Sequence, residues 1–165
     1  MATVKVIFGS TSGNTESAAN MIADALGGEV INVADASASD FEADLLVLGC
    51  STWGVGELQD DWFDGLETID GVDLQGKKVA LFGEGDQCGF ADTYLDAVGI
   101  IYEKVVSKGA EVIGFWSTEG YDHTGSTAEI DGKFVGLALD EDNQPEMTEE
   151  RIKVWCEQLK AEAGL

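Results

Sequence analysis

Short apolar runs alternate along this chain with longer segments in which apolar side chains recur every three or four residues. The runs are continuously apolar, which is typical of parallel strands that are covered on both faces. They predict five strands, at residues 4–8, 30–33, 45–48, 79–82 and 112–115. The segments between them predict helices, at residues 15–26, 60–66, 92–108 and 148–162. Strands that alternate with helices indicate an α/β fold with a doubly wound parallel sheet, in a single domain spanning residues 1–165.

The longer predicted helices each have one apolar face, which we expect to pack on the sheet. Gly27 and Gly28 end the first helix, and Thr148 is placed to cap the last one. The side chains expected to face inward are Ala18, Ile22, Ala25 and Leu26 in the first helix, Leu95, Val98, Tyr102, Val105 and Val106 in the third, and Ile152, Trp155, Cys156 and Leu159 in the last.

A polar, glycine-rich segment at residues 117–133 interrupts this alternation. It lies between the aromatic pair Phe115-Trp116 and the apolar pair Phe134-Val135, so it predicts an insertion that splits or extends the last strand. An ordered surface loop is the simpler interpretation, and a partner-docking role is the alternative.

Acidic residues dominate the charged positions: 32 Asp and Glu stand against nine Lys and Arg, giving a net charge of −23. Such a surface repels nucleic acid and anionic membranes, and it attracts basic partners at rates that fall with salt. High solubility is the simpler explanation of the same charge. No apolar run approaches the ~20 residues of a membrane span, and residues 1–3 lack signal-peptide features, so we expect a cytoplasmic protein.

The three cysteines, Cys50, Cys88 and Cys156, show neither CxxC pairing nor the spacing of a metal site. We expect free thiols that act as small apolar side chains in a reducing compartment. The single histidine, His123, lies in a Gly/Ser/Thr-rich stretch without a second histidine nearby, so we expect a loop residue rather than a metal ligand or a catalytic base.

The first candidate site follows the first strand directly. Hydroxyl-rich residues joining a strand to a helix N-terminus are suited to holding a phosphate on N–H and O–H groups. The segment contains no lysine, and no GxxxxGK[ST] or GxGxxG motif occurs in the chain, so nucleoside triphosphates are disfavoured. An ordinary capping turn is the alternative. The candidate phosphate ligands are Ser10, Thr11, Ser12, Gly13, Asn14 and Thr15.

Two further loops follow the third and fourth strands, at the same predicted edge of the sheet. Each combines glycines with an aromatic side chain, an arrangement suited to a planar heterocycle, although core packing of each aromatic residue is the alternative. The candidates are Ser51, Thr52, Trp53, Gly54, Val55 and Gly56 in one loop, and Gly85, Asp86, Gln87, Phe90 and Asp92 in the other. A planar aromatic ligand with a terminal monophosphate fits all three loops, and flavin mononucleotide (FMN) is the obvious biological example.

These three motifs resemble those of the flavodoxins. The resemblance covers essentially the whole chain, and residues 132–144 together with the 117–133 segment resemble the long-chain branch, which carries an insertion in its fifth strand. It implies a flavodoxin-like sheet of order 2-1-3-4-5, with residues 10–15 on the phosphate and Trp53 stacked on the flavin ring. Phe90 stands where the family usually has a tyrosine, and Tyr94 is a less suitable substitute because it fits the following helix.

The resemblance implies a low-potential one-electron carrier rather than an enzyme, with FMN passing between oxidised, neutral semiquinone and anionic hydroquinone forms. It implies a monomer whose partners are the basic faces of flavodoxin or ferredoxin reductases and other low-potential oxidoreductases. No catalytic residue and no metal ligand is assigned. An FMN-dependent quinone or NAD(P)H reductase on the same fold is the alternative function, and a non-redox binding module is a further one.

Overall fold

The strands of the main sheet lie parallel, in the order that the resemblance implies. The computed structural model describes residues 3–9, 13–53, 57–58, 61–89 and 92–164. The strands are β1 (Val4–Gly9), β2 (Glu29–Asn32), β3 (Leu45–Trp53), β4 (Glu57–Leu58), β5 (Lys78–Glu84), β6 (Glu111–Ile113), β7 (Trp116–Ser117), β8 (Glu129–Ile130), β9 (Lys133–Phe134) and β10 (Leu137–Leu139). The order across the sheet is β2-β1-β3-β5, followed by β6 and β10, which both pair with β5. Counting β6 and β10 as one strand, and leaving out the short antiparallel β4, the order is 2-1-3-4-5 as predicted.

Helices cover both faces of this sheet, which explains why its strands are continuously apolar. The helices are α1 (Asn14–Leu26), α2 (Asp61–Asp70), α3 (Asp96–Ser107) and α4 (Thr148–Ala163). Helices α1 and α4 lie on one face, where they enclose alternate strand residues such as Val6, Val47 and Phe82. Helices α2 and α3 lie on the other face, over residues such as Ile7 and Leu48. In the described part of the chain, no helix is both long enough and apolar enough to span a bilayer.

The predicted elements are present with shifted ends. Strands β3 and β5 run further than their apolar runs, because polar and glycine residues at their carboxyl ends continue the ladder. Val33 belongs to a short 3₁₀ turn rather than to β2. Helix α3 begins only at Asp96, since residues 92–95 form turns. Helix α2 continues to Asp70, beyond the apolar stretch that predicted it.

Three details of the helix predictions are wrong. Ala25 and Val106 are exposed, because the buried face of α1 runs through positions 15, 18, 19, 22 and 23 and that of α3 ends at Val105. Thr148 is the first residue of α4 rather than its cap, and its hydroxyl donates to the Glu141 carboxylate instead. The predicted inward face of α4 is correct throughout, and Gly27 ends α1 in the left-handed conformation, with φ 69°.

The last strand is split by an insertion, as predicted. β6 pairs with residues 78–80 of β5, and β10 pairs with residues 82–84. The chain between them forms a small antiparallel sheet in the order β7-β9-β8. Gly114 turns the chain out of β6 with φ 80°. Gly136 returns it against the Leu81 carbonyl, where a side chain has no room.

Candidate functional site

The carboxyl ends of the central strands meet at one edge of the sheet. Gly9 of β1 is in register with Cys50 of β3, and Ser51 is in register with Glu84 of β5. Glu84 is in turn in register with Leu139 of β10. The chain leaves β1 towards α1 and leaves β3 towards α2, on opposite faces, so a crevice between the two connections is the expected ligand position.

Part of the predicted site lies outside the described residues. Ser10, Thr11, Ser12, Gly54, Val55, Gly56 and Phe90 belong to that part, and so do the side chains of Thr52 and Trp53. The backbone of β3 reaches Trp53 and pairs there with Glu57 of β4. The roles predicted for these residues remain predictions.

The start of α1 has the properties of an anion site rather than those of a capped turn. Gly13, which has no side chain, occupies the cap position with φ 91°, and among the described residues no side chain caps the helix. Asn14 and Thr15 lie inside the first turn. The Thr15 hydroxyl is fully buried and has no hydrogen-bond partner among the described residues. A helix N-terminus leaves N–H groups for an acceptor from outside the helix, and the Thr15 hydroxyl adds a further donor. These features fit the phosphate of FMN.

The carboxyl end of β3 is buried and held in place by a hydrogen bond from α2. Ser51 is 6% exposed. Two residues earlier, the Gly49 carbonyl accepts a 2.7 Å hydrogen bond from the indole N–H of Trp62, which is fully buried in α2. The bond fixes the start of α2 against β3. The two ends of the connection between β3 and α2 are therefore held in place relative to each other.

Asp86 shapes the loop after β5. Its Oδ1 accepts hydrogen bonds from the backbone N–H groups of Cys88, at 3.1 Å, and Gly89, at 2.7 Å. The side-chain amide of Asn143 donates to the same oxygen at 2.8 Å. The Gly89 N–H, followed by the Asn143 amide, lowers the pKa of Asp86. A stably ionised Asp86 therefore holds this turn closed.

Gln87 is buried and joins the loop to its surroundings. Its amide nitrogen donates to Gln144 Oε1 at 2.8 Å, and its amide oxygen accepts from the Asp122 N–H at 2.6 Å. Its backbone N–H donates to Asp140 Oδ2 at 3.0 Å. The side chain of Gln87 is thus committed to positioning the loop.

Asp140 is a site residue that the sequence analysis missed. It is fully buried, and besides Gln87 it accepts hydrogen bonds from the backbone N–H groups of Asp142 and Asn143, both at 3.0 Å. One carboxylate therefore organises both the loop after β5 and the loop after β10. The only signal in the sequence is an Asp that directly follows an apolar run, a common way to begin a turn.

Glu84 is the second residue that the sequence analysis missed. It ends β5 between β3 and β10, is 5% exposed, and has two carboxyl oxygens without partners in the described part of the chain. Burial raises the pKa of Glu84 to about 8, with further contributions from Glu141, Asp140 and Asp142. The only sequence signal that could have identified Glu84 is an acidic residue at the end of an apolar strand.

Tyr94 is unsuited to stacking on a ligand, as expected, although its position differs from the prediction. It precedes α3 rather than lying in it, and it is 1% exposed. Its hydroxyl donates to the Leu139 carbonyl at 3.1 Å, and its ring packs against Tyr121, His123 and Phe134. Asp92 is exposed nearby, and its predicted contact with the cofactor remains a prediction.

The three cysteines and the single histidine are in positions that suggest no chemical role. All three thiols are free, and Cys50 and Cys156 are buried as predicted, whereas Cys88 is exposed. His123 lies in a loop as predicted, with Nε2 at 2.6 Å from the Glu129 carboxylate. Among the described residues, no group of three or more His, Cys, Asp or Glu side chains is arranged to hold a metal ion.

Comparisons with known proteins find similar chains over nearly the whole length of this one. The family model described as Flavodoxin matches residues 6–155. A flavodoxin from Picosynechococcus is 50% identical, with both chains covered completely. Flavodoxin 2 of Salmonella typhi is 45% identical over 95% of this chain and 94% of its own length. Among solved structures, a flavodoxin of Fusobacterium nucleatum bound to flavin mononucleotide superposes with a TM-score of 0.93 at 33% identity, covering 98% of this chain and 99% of that one.

Proposed function

Because this chain belongs to the flavodoxin family, we propose that it carries single electrons on a non-covalently bound FMN. The observation that supports this best is the buried Thr15 hydroxyl in the first turn of α1, which has no hydrogen-bond partner among the residues that the structure describes. It lies at the sheet edge where three candidate loops begin. FMN supplies the chemistry, because its ring system accepts and releases one electron at a time.

The protein's own residues bind, orient and shield the cofactor in this proposal. Ser10, Thr11, Ser12, Gly13, Asn14 and Thr15 hold the phosphate with N–H and O–H donors and without a cation. Trp53 and Phe90 flank the flavin ring and exclude water from it. The loop containing residues 85–89, held by Asp86 and Asp140, presents backbone groups to the polar edge of the ring.

The chain acts as an electron carrier rather than as an enzyme in this proposal. The long-chain insertion supports assignment to the long-chain branch. We also propose that the chain is one domain, a monomer and cytoplasmic. Its net charge of −23 favours partners with basic faces, including flavodoxin or ferredoxin reductases and low-potential oxidoreductases.

A stepwise reductive titration of the purified protein tests the proposal. We expect the protein to bind one FMN and to take up two electrons in two separated one-electron steps, each with its own visible spectrum. A chain that refuses FMN would contradict the proposal. Rapid steady-state oxidation of NADPH with a quinone as acceptor, by this protein alone, would instead favour the reductase alternative.

A further inference from the structure

Glu84 is a buried acid at the end of β5, on the edge of the sheet that carries the candidate site. Its strand neighbours are Ser51 on β3 and Leu139 on β10, so it lies between two of the connections that leave the edge. It is 5% exposed, and in the part of the chain that the structure describes neither carboxyl oxygen has a hydrogen-bond partner. A buried polar group without a partner costs free energy unless something else satisfies it.

The described groups that face Glu84 are acidic or neutral. Asp140, Glu141 and Asp142 face it from the loop that follows β10, and the Tyr94 hydroxyl faces it from the segment before α3. Among the described residues, the Glu141 N–H favours the charged form, but it approaches the carboxyl without the geometry of a full hydrogen bond. Among the described groups that act on it, none is a lysine or arginine.

An ionised Glu84 would therefore add a further negative charge against an acidic loop, in a place that water scarcely reaches. Removal of a carboxylate from water without a counter-charge favours its neutral form. A neutral carboxyl differs chemically from a carboxylate because it carries an O–H donor. The edge would then offer one more donor in addition to the Thr15 hydroxyl.

We propose that Glu84 is a proton-binding site: the folded protein holds a proton on this carboxyl at neutral pH, and FMN binding and proton binding at Glu84 strengthen each other. This inference rests on the proposed function. The proton comes from solvent and returns to it, so no other reactant is required. The coupling can arise if the protonated carboxyl donates a hydrogen bond directly to FMN. It can also arise because the negative FMN phosphate and the exclusion of water both disfavour the ionised carboxylate.

The sign of the coupling follows from electrostatics. An anionic ligand and a further loss of solvent both disfavour a carboxylate, so occupation of the edge raises the pKa of Glu84 beyond its value of about 8 in the unliganded chain. By linkage, deprotonation of Glu84 weakens FMN binding by the same factor by which FMN tightens proton binding. The dissociation constant should therefore rise with pH, by at most about tenfold per pH unit for one proton.

Calorimetric titration of the full-length apoprotein with FMN tests the proposal. The measurements run from about pH 7 to about pH 9.5, because the second ionisation of a phosphate monoester, with a pKa near 6, is largely complete over that range. Two buffers with different ionisation enthalpies give the number of protons taken up per FMN. Circular dichroism at each pH confirms that the chain is folded.

Glu84→Gln, which imitates the neutral carboxyl, is the test variant. Glu103→Gln, which removes the same charge from an exposed position on α3, is the matched control. Above pH 8, we expect the wild type and Glu103→Gln to take up close to one proton per FMN and to lose affinity with pH. We expect Glu84→Gln to show neither effect.

Equal proton uptake in Glu84→Gln and the wild type, or no uptake in the wild type, would overturn the inference. Absence of FMN binding at every pH in all three proteins would overturn the proposed function instead. Should Glu84→Gln fail to fold, infrared spectra of the wild type decide the matter. A protonated-carboxyl band that is present at pH 7 and lost at alkaline pH supports the inference, and its absence at pH 7 contradicts it.

Discussion

Thr15 and Thr148 are buried threonines at the first turns of two helices, and their hydroxyls have different surroundings. The Thr15 hydroxyl has no protein partner among the described residues, whereas the Thr148 hydroxyl donates to Glu141 at 2.5 Å. An unsatisfied buried hydroxyl reduces the stability of the free protein and becomes useful when a ligand supplies the partner. The contrast allows a binding role to be separated from a structural one.

Thr15→Val should weaken FMN binding and leave the apoprotein as stable as before or more stable. The loss of one hydrogen bond to an anionic group predicts about 1.5–3 kcal/mol, or roughly 10- to 150-fold in the dissociation constant. Fluorescence titration with FMN and urea unfolding of the apoprotein measure the two effects. Thr148→Val is the matched control, and it should lower the free energy of unfolding because Glu141 loses its partner. Equal loss of stability in both variants would argue against a ligand-binding role for Thr15.

Glu84 should make the stability of the apoprotein depend on pH. Its pKa in the folded chain, about 8, lies above its ordinary value of 4.5. The folded state therefore holds a proton that the unfolded state has lost, and the contribution of Glu84 to stability falls as pH rises from about 4.5 to about 8. The slope is at most about 1.4 kcal/mol per pH unit for one group.

Urea unfolding of the wild type and Glu84→Gln across this range measures the effect. We expect their difference in unfolding free energy to grow in favour of Glu84→Gln towards pH 8 and then to level off. Comparing the two proteins cancels the contributions of Asp40, Asp44 and Asp86, which both share. The lowered pKa values of these residues make stability rise with pH, opposite to the effect of Glu84. A difference that is constant with pH would contradict a buried, protonated Glu84.

The contrast between these residues shows what the sequence could predict at the site. Thr15 could be named as a candidate ligand because a hydroxyl-rich segment between strand and helix is a local pattern. Glu84 and Asp140 were missed because their roles depend on chain segments more than 50 residues away, such as the 53-residue separation of Gln87 and Asp140. A local pattern gives the residue type, whereas burial and partners come from the sheet register.

The strands and helices themselves were predicted well, because apolar periodicity directly reflects which faces are covered. Their ends were less accurate. Gly49, Gly83 and Glu84 continue β3 and β5 beyond the apolar runs, since ladder hydrogen bonds come from the backbone and need no apolar side chain. Residues 92–95 look helical in sequence, but the turn there places Leu95 at φ 59° before α3 can begin.

Gly49→Ala should destabilise the protein strongly, because close packing between β3 and β5 leaves no room for a methyl group. An added Cβ would overlap the ring of Phe82 on the neighbouring strand. Overpacking of this kind costs about 1–3 kcal/mol, and a rigid ring between two strands favours the upper end of that range. Gly71→Ala is the control, since its nearest neighbour is the Thr68 carbonyl at 3.6 Å. Urea unfolding should separate the two, and similar midpoints would contradict the packing argument.

Charge is the property that acts on the molecule as a whole. A net charge of −23 is opposed by only three lysine–carboxylate pairs among the described side chains, Lys5–Asp40, Lys104–Asp70 and Lys160–Glu157. Most carboxylates therefore repel one another across the surface. Self-repulsion lowers the stability of the compact state, and salt screens it.

The unfolding temperature should therefore rise with ionic strength. Between about 10 mM and about 0.5 M NaCl, relief of about 1–2 kcal/mol of repulsion would raise the midpoint by roughly 2–8 °C for a chain of this size. Differential scanning calorimetry measures the shift, and choline chloride at equal ionic strength is the control for specific binding of sodium. An unchanged or lower midpoint would show that the repulsion is unimportant.

The split last strand also affects how the protein behaves at high concentration. A long, straight outer strand is a template onto which another polypeptide can add, and this is a common start of aggregation. Here β6 and β10 present only three residues each, and Gly114 breaks the line between them. At the opposite border, β2 is four residues long. Neither border offers a foreign strand a ladder long enough to be stable, so the excursion that interrupts the last strand also helps to keep neighbouring molecules apart.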